Sequence, residues 1–164
     1  MISSLLSKNQ CAACRFCCIF DNSDCWELPL MNDDTKRYIQ QKFPKTNFEL
    51  VGNMFRLSPN FHLGDLYHCA ALGKNGCILP NELKPFDCKI WPFRVMKQND
   101  NIVIALSDGC NSINELPDDV IKAFVNTDFG DKVFQYANLH PEIIKPYIDG
   151  YKIYKIFKVN RRFK

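Results

Sequence analysis

The stretch Cys11-Ala-Ala-Cys14-Arg-Phe-Cys17-Cys18 carries four thiols within eight residues, and it decides how the chain is expected to fold. Buried cysteines that act as small hydrophobic residues are normally scattered along a sequence rather than spaced by two. Two intervening residues let neighbouring sulfurs converge on one point, as they do around zinc and iron–sulfur clusters. The run therefore predicts a metal site. The adjacent pair Cys17-Cys18 leaves a second site open, because consecutive side chains of extended backbone point to opposite sides.

Length and composition predict a single domain over residues 1–164. The chain is 46% hydrophobic and 13% aromatic, which is typical of a globular protein with a real core. No apolar stretch approaches the ~20 residues needed to cross a bilayer, and the first residues do not have the pattern of a secretory signal. We therefore expect a cytoplasmic protein without a membrane span, in which nine cysteines favour metal ligation over a disulfide framework.

Positive charge is concentrated at the C-terminal end. From Tyr151 onward the chain has six cations and no acid, whereas residues 1–150 carry 15 cations and 18 acids. A basic tail on an acidic body can bind RNA, an acidic partner or a membrane surface. A tail that is merely solvated has the same composition, and the charge pattern favours that interpretation over nucleic-acid binding.

Hydrophobic periodicity and turn residues predict a mixed α+β fold. They indicate a short helix over residues 33–43, strand structure over 48–57 with a turn at Gly52-Asn53, and a hairpin that joins 93–97 to 102–106. Residues 62–92 are rich in turn-forming residues, as expected of loops organised around a ligand.

Helices are expected mainly in the C-terminal part. One begins at Pro117, Gly130 is expected to interrupt the pattern, and two short helices are predicted over 132–139 and 141–148. Residues 151–159 fit either a helix or a strand. The expected architecture is a small, loop-rich, cysteine-bound metal core with a β-hairpin over residues 11–110, followed by a helical part with a basic tail over 111–164.

Eight of the nine cysteines form two groups of four, and Cys25 stands outside them as a buried or spare thiol. The predicted metal ligands are Cys11, Cys14, Cys17, Cys18, Cys69, Cys77, Cys88 and Cys110. Two further motifs accompany them, Lys84-Pro85-Phe86-Asp87-Cys88 and Trp91-Pro92-Phe93.

The order of these cysteines and prolines resembles the YkgJ-type CxxCxxCC cysteine-cluster proteins, a family described as zinc- or iron-chelating. The resemblance spans roughly residues 11–110 and implies metal binding by the eight cysteines. The family usually has arginine before the first proline of the second motif. Lys84 stands there in this chain and keeps the charge without the planar fork of a guanidinium group.

Thiolates alone do not distinguish zinc from an iron–sulfur cluster, because both accept four of them. The C-x2-C-x2-C run is similar to ferredoxin-type ligand runs, so the preferred interpretation is a [4Fe–4S] cluster with a redox or cluster-dependent role and a protein redox partner. One alternative is a structural Zn²⁺ module that binds a partner or nucleic acid. Another is a metal-dependent enzyme that modifies a protein or peptide.

No catalytic residue is identified from the sequence, which has neither a Ser-His-Asp set nor a phosphate-binding glycine loop that stands out. His68 precedes Cys69 and is a weak candidate for a ligand. Charged residues surround Cys88 and are expected mainly to solvate a loop and a hairpin face, although some of them could bond to sulfur. They are Lys84, Asp87, Lys89 and Arg94.

Overall fold

The computed structural model describes residues 2–21, 27–58 and 61–158. Cys25 lies outside these residues. The described chain is mixed α+β, as predicted, and it divides into two compact units. We refer to them as the N-terminal unit, Ile2–Lys89, and the C-terminal unit, which begins at Ile90. Among the described residues, no helix is long and apolar enough to cross a membrane.

Short elements build the N-terminal unit. Its helices are α1 (Lys8–Cys14), α2 (Asp33–Lys42) and α3 (Phe86–Ile90), the last of which extends one residue past the boundary. Its strands are β1 (Ile19–Phe20), β2 (Leu30–Met31), β3 (Asn47–Val51), β4 (Met54–Ser58), β5 (Phe61–Leu63), β6 (Leu66–His68), β7 (Leu72–Gly73) and β8 (Gly76–Cys77). They form three antiparallel sheets with the orders β1-β6-β5, β2-β4-β3 and β7-β8.

Local capping explains where the first two helices begin and end. Helix α1, which the sequence analysis did not predict, opens with a capping box: the Ser7 hydroxyl accepts a hydrogen bond from the Gln10 amide, and the Gln10 side chain accepts one from the Ser7 amide. Helix α2 was predicted and is confirmed. The Asn32 side chain caps its start, and it ends at Lys42 because Pro44 follows shortly.

A hydrophobic core lies between α2 and the sheets of the N-terminal unit. Leu28, Met31, Ile39 and Leu57 are each 1% exposed and belong to this core. The same cluster of buried residues includes Cys69 and its neighbours Ala70 and Ala71. One of the predicted ligands is therefore anchored directly in the core, which limits the movement of its backbone.

The C-terminal unit is a four-stranded sheet with helices. Its strands are β9 (Phe93–Gln98), β10 (Asn101–Leu106), β11 (Lys145–Pro146) and β12 (Lys152–Lys158), in the order β11-β9-β10-β12. Its further helices are α4 (Asn111–Asn114), α5 (Asp118–Val125) and α6 (Asp128–Leu139). The predicted hairpin is confirmed as β9–β10, and its turn contains Asn99 with a φ of 53°.

In three regions of this unit, the observed secondary structure was left open by the local sequence pattern or differs from the one that the pattern favours. The segment that fitted either a helix or a strand is strand β12, paired with β10. The expected break at Gly130 was wrong, because α6 continues through it; a Cβ there would lie 2.8 Å from Cδ of Lys155. The predicted helix over 141–148 was also wrong. A 3-10 turn, Pro141–Ile143, is followed by β11, whose backbone pairs with β9 instead.

Candidate metal centre

The pairing of β1 with β6 brings two distant cysteine segments together. Ile19 pairs with His68, so the residues on either side, Cys18 and Cys69, become neighbours. The amide of Cys69 donates a hydrogen bond of 2.8 Å to the carbonyl of Cys18. The sheet therefore connects the first cysteine group to the second through backbone bonds alone.

The adjacent cysteines Cys17 and Cys18 lie at the end of a 3-10 turn, Phe16–Cys18. Their sulfurs are 3.9 Å apart. The divergence expected of extended backbone does not occur, because the chain is tightly wound here. Two thiolates on one tetrahedral zinc ion, with Zn–S bonds of about 2.3 Å, lie about 3.8 Å apart. The spacing of this pair is thus compatible with a single centre.

Two further cysteines, Cys77 on β8 and Cys88 on α3, interact electrostatically with Cys17 and Cys69. Cys17 raises the pKa of Cys18, Cys69, Cys77 and Cys88, and Cys69 also raises that of Cys18 and Cys88. Such mutual effects require the sulfurs to lie near one another. We call these residues the five-thiol group: Cys17, Cys18, Cys69, Cys77 and Cys88.

Four thiols of this group have raised pKa values: Cys18, Cys69, Cys77 and Cys88. Burial is the largest cause for three of them, and it raises the pKa of Cys69 to about 12 and that of Cys88 well above its ordinary value. The pKa of Cys77 is raised in the same direction. For Cys18 the hydrogen bond with Cys17 is the largest cause, followed by burial. Without a cation these four thiols therefore favour the protonated form, and a bound metal ion would reverse this preference.

Backbone amides and a lysine lower the pKa of two of these thiols and so favour the thiolate form, which is the form that binds metal. The amide of Ala71 donates to the sulfur of Cys69 at 3.4 Å. A backbone hydrogen bond from Leu79 and the charge of Lys84 both lower the pKa of Cys77. Amide bonds to sulfur and nearby positive charge stabilise metal-bound thiolates. The donor set is all sulfur, which is the ligand chemistry that zinc and iron–sulfur clusters accept.

Alkaline solution should destabilise the metal-free protein. A thiol of the unfolded chain titrates near pH 8.5, and the folded pKa values of the group are higher. The raised pKa values thus stabilise the folded state below about pH 8.5. This stabilisation is lost as the pH rises toward the pKa values of the folded protein, about 12 for Cys69. The urea midpoint of reduced, metal-free protein should fall between about pH 8 and pH 10. A constant midpoint across this range would contradict the prediction.

Asp87 anchors the helix that carries Cys88. Its carboxylate accepts a hydrogen bond of 3.1 Å from the amide of Leu30, and both residues are at most 2% exposed. The expectation that the charged residues around Cys88 solvate a loop was therefore wrong for Asp87. It was also wrong for Arg94, which is 5% exposed and stacks on the ring of Trp91.

Replacing Asp87 by alanine should destabilise the protein by about 1–3 kcal/mol, because the amide of Leu30 would lose its partner in a buried position. The Asp87→Asn variant keeps an oxygen acceptor and should lose much less. Urea denaturation of both variants measures the difference. Equal stability of the alanine and asparagine variants would show that this hydrogen bond does not anchor α3.

The other three predicted ligands lie on α1 and at the start of α4. Cys11 and Cys14 lie three residues apart in α1, and both are exposed. Cys110 is buried in the C-terminal unit, at the start of α4. His68 has its Nδ1 atom 3.0 Å from the carbonyl oxygen of Cys69, so that nitrogen faces backbone rather than sulfur.

Within residues 2–21, 27–58 and 61–158, no group of three or more Cys, His, Asp or Glu side chains is arranged to hold a metal ion as it stands. Metal binding by the five-thiol group therefore requires side-chain rotations that direct the sulfurs to a common point. Comparison with protein-family models, with curated proteins and with solved structures found no match for this chain.

Proposed function

We propose that the N-terminal unit is a metal-binding unit whose five-thiol group holds an iron–sulfur cluster, with a redox or cluster-dependent role in a reducing cytoplasm. The observation that carries the proposal is the pairing of β1 with β6, which places Cys18 beside Cys69. The raised pKa values of Cys18, Cys69, Cys77 and Cys88 agree with it. A bound cluster would supply one-electron transfer. The proposal agrees with the resemblance to the YkgJ-type cysteine-cluster proteins, and we propose that the chain belongs to that family.

The distribution of charge supports an anionic metal–thiolate centre. Residues 1–20 and 66–81 contain six of the nine cysteines and none of the 18 acidic residues. The same segments contain the cations Lys8, Arg15 and Lys74. A centre with four thiolates carries net negative charge with either metal, so nearby carboxylates would weaken it.

Zinc is the second candidate, and one observation favours it. The sulfurs of Cys17 and Cys18 are 3.9 Å apart, close to the spacing of two thiolates on one tetrahedral ion. In that case the unit would be a structural module, and the protein would act through a binding surface.

Anaerobic purification with metal and acid-labile sulfide analysis distinguishes the two metals. An iron–sulfur protein would be brown and contain iron and sulfide in equal amounts, whereas a zinc protein would be colourless because Zn²⁺ has a filled d shell. Stoichiometric zinc without iron would overturn the cluster and support the module. Neither metal in stoichiometric amount would overturn both.

The C-terminal cations offer less support for nucleic-acid binding. Lys152 forms an ion pair with Asp118, and Lys155 lies 2.8 Å from Asp131. These two lysines therefore have carboxylate partners within the C-terminal unit, and fewer cations face a polyanion. We propose a protein redox partner rather than a nucleic acid.

A further inference from the structure

Arg15 has an unusual backbone conformation within the first cysteine group. It is one of two non-glycine residues with positive φ among the described residues, at 57°. Asparagine tolerates this left-handed region, but a long side chain such as that of arginine is uncommon there. The amide of Arg15 donates to the carbonyl of Cys11 at 3.0 Å, which ends α1. The chain then enters the Phe16–Cys18 turn directly. The backbone of Arg15 therefore sets the direction in which the chain leaves α1 towards Cys17.

The guanidinium group of Arg15 bonds to two different segments. Its Nε donates to the carbonyl of Ala12 at 3.0 Å, within α1. Its Nη2 donates to the carbonyl of Lys74, in the turn between β7 and β8. Lys74 lies three residues before Cys77, so one side chain connects the first cysteine group to the strand that carries a thiol of the second.

A second contact between the same two segments requires glycine. Gly76 has a φ of 91°, and a Cβ atom there would lie 3.1 Å from both Cα and Cβ of Ala12. Helix α1 therefore lies directly against the backbone of β8. The guanidinium bonds and this close packing together fix α1 on the β7–β8 hairpin.

We infer that Arg15 is a positioning residue for the metal centre. It clamps the turn before Cys17 to the hairpin that carries Cys77 and so sets the separation of these two thiols before metal binds. The inference rests on the proposed function, because it concerns the same five-thiol group. It adds a role for a residue that supplies no metal ligand.

The geometry requires arginine rather than lysine at this position. The two acceptor carbonyls belong to different segments and are reached from two separate nitrogens of one planar group. The amine of lysine has all its donors on one nitrogen at the end of a flexible chain, so it would keep at most one of the two bonds. A preorganised site avoids the cost of ordering the ligand segments on binding.

The test compares Zn²⁺ affinity by chelator competition in wild type, Arg15→Gly and Arg15→Lys. Loss of an interaction that orients a ligand typically weakens metal binding by about 10- to 100-fold. Both variants should lose about tenfold or more, although glycine suits the left-handed backbone and lysine keeps the charge. The matched control is Arg37→Lys, an exposed residue of α2 with carboxylate partners Asp33 and Asp34, which should stay within about twofold of wild type.

Hydrogen exchange of the reduced, metal-free proteins provides a second measurement. Residues 8–18 and 72–78 should both exchange faster in the two Arg15 variants, whereas β10 should be unchanged. Wild-type affinity in Arg15→Gly and Arg15→Lys would overturn the inference, as would unchanged exchange in both segments. If wild type itself bound no zinc or iron, the proposed function would fail, and the exchange data alone would decide whether Arg15 joins the two segments.

Discussion

Replacing Cys17 by serine is expected to weaken metal binding more than any other single cysteine substitution, on the order of 100-fold or more. Structural Zn²⁺ sites bind with about 10–16 kcal/mol, so each of four thiolates contributes several kcal/mol. Cys17 raises the pKa of the four other members of the five-thiol group, and its sulfur lies 3.9 Å from that of Cys18. Metal analysis and chelator competition measure the loss.

Two further serine variants serve as controls for this experiment. Cys25 lies outside the cysteine pattern, and Cys25→Ser should keep its metal. Cys14 lies on α1, outside the five-thiol group, so Cys14→Ser should lose less metal than Cys17→Ser or Cys88→Ser. Equal losses in Cys14→Ser and Cys17→Ser would contradict the division between the five-thiol group and the exposed pair. If Cys25→Ser lost as much metal as Cys17→Ser, the choice of the eight predicted metal ligands would be contradicted.

Metal removal is expected to lower the thermal midpoint of the N-terminal unit by about 20 °C. A ligand at about 1,000 times its dissociation constant stabilises the folded state by about 4 kcal/mol. For a unit of about 90 residues, each kcal/mol shifts the midpoint by about 4–8 °C. The effect should be concentrated in this unit, whose sheets have only two or three short strands and are weak without further support.

Calorimetry and hydrogen exchange before and after chelation test this expectation. Exchange should accelerate in residues 8–20 and 66–90, whereas the central strands β9 and β10 should change little, since both are buried and paired on each side. The same midpoint with and without metal would show that the metal does not contribute to folding. Uniform acceleration across both units would show that they unfold together.

Sequence patterns predicted the elements in which local chemistry and tertiary structure agree. Helix α2 has a capping asparagine, acids in its first turn and a following proline, and these signals suffice wherever the helix packs. The β9–β10 hairpin has two largely apolar strands on either side of a polar turn, and it was found as expected. Helix α1 was not predicted, although the capping box of Ser7 and Gln10 is a start signal that the sequence carries.

The failures have a common physical cause, which is that contacts between segments outweigh local propensity. Residues 145–146 join β9 as a parallel strand, although the periodicity over 141–148 favoured a helix. Gly130 lies inside α6, and a Cβ there would overlap the backbone oxygen of Val125 and lie 2.8 Å from Cδ of Lys155, which explains why glycine stands at this position. Asp87 looked like a solvated loop residue, yet its partner is the amide of Leu30, far away in the chain.

The sequence by itself determined the supply of thiols: eight cysteines in a fixed order, with acid-free segments around six of them. Only the tertiary structure decided which thiols meet. Backbone pairing of β1 with β6 joins Cys18 to Cys69, and the Arg15 clamp fixes α1 on the hairpin that carries Cys77. Spacing along a chain limits which sulfurs can converge, but hydrogen bonds and packing between distant segments select those that do.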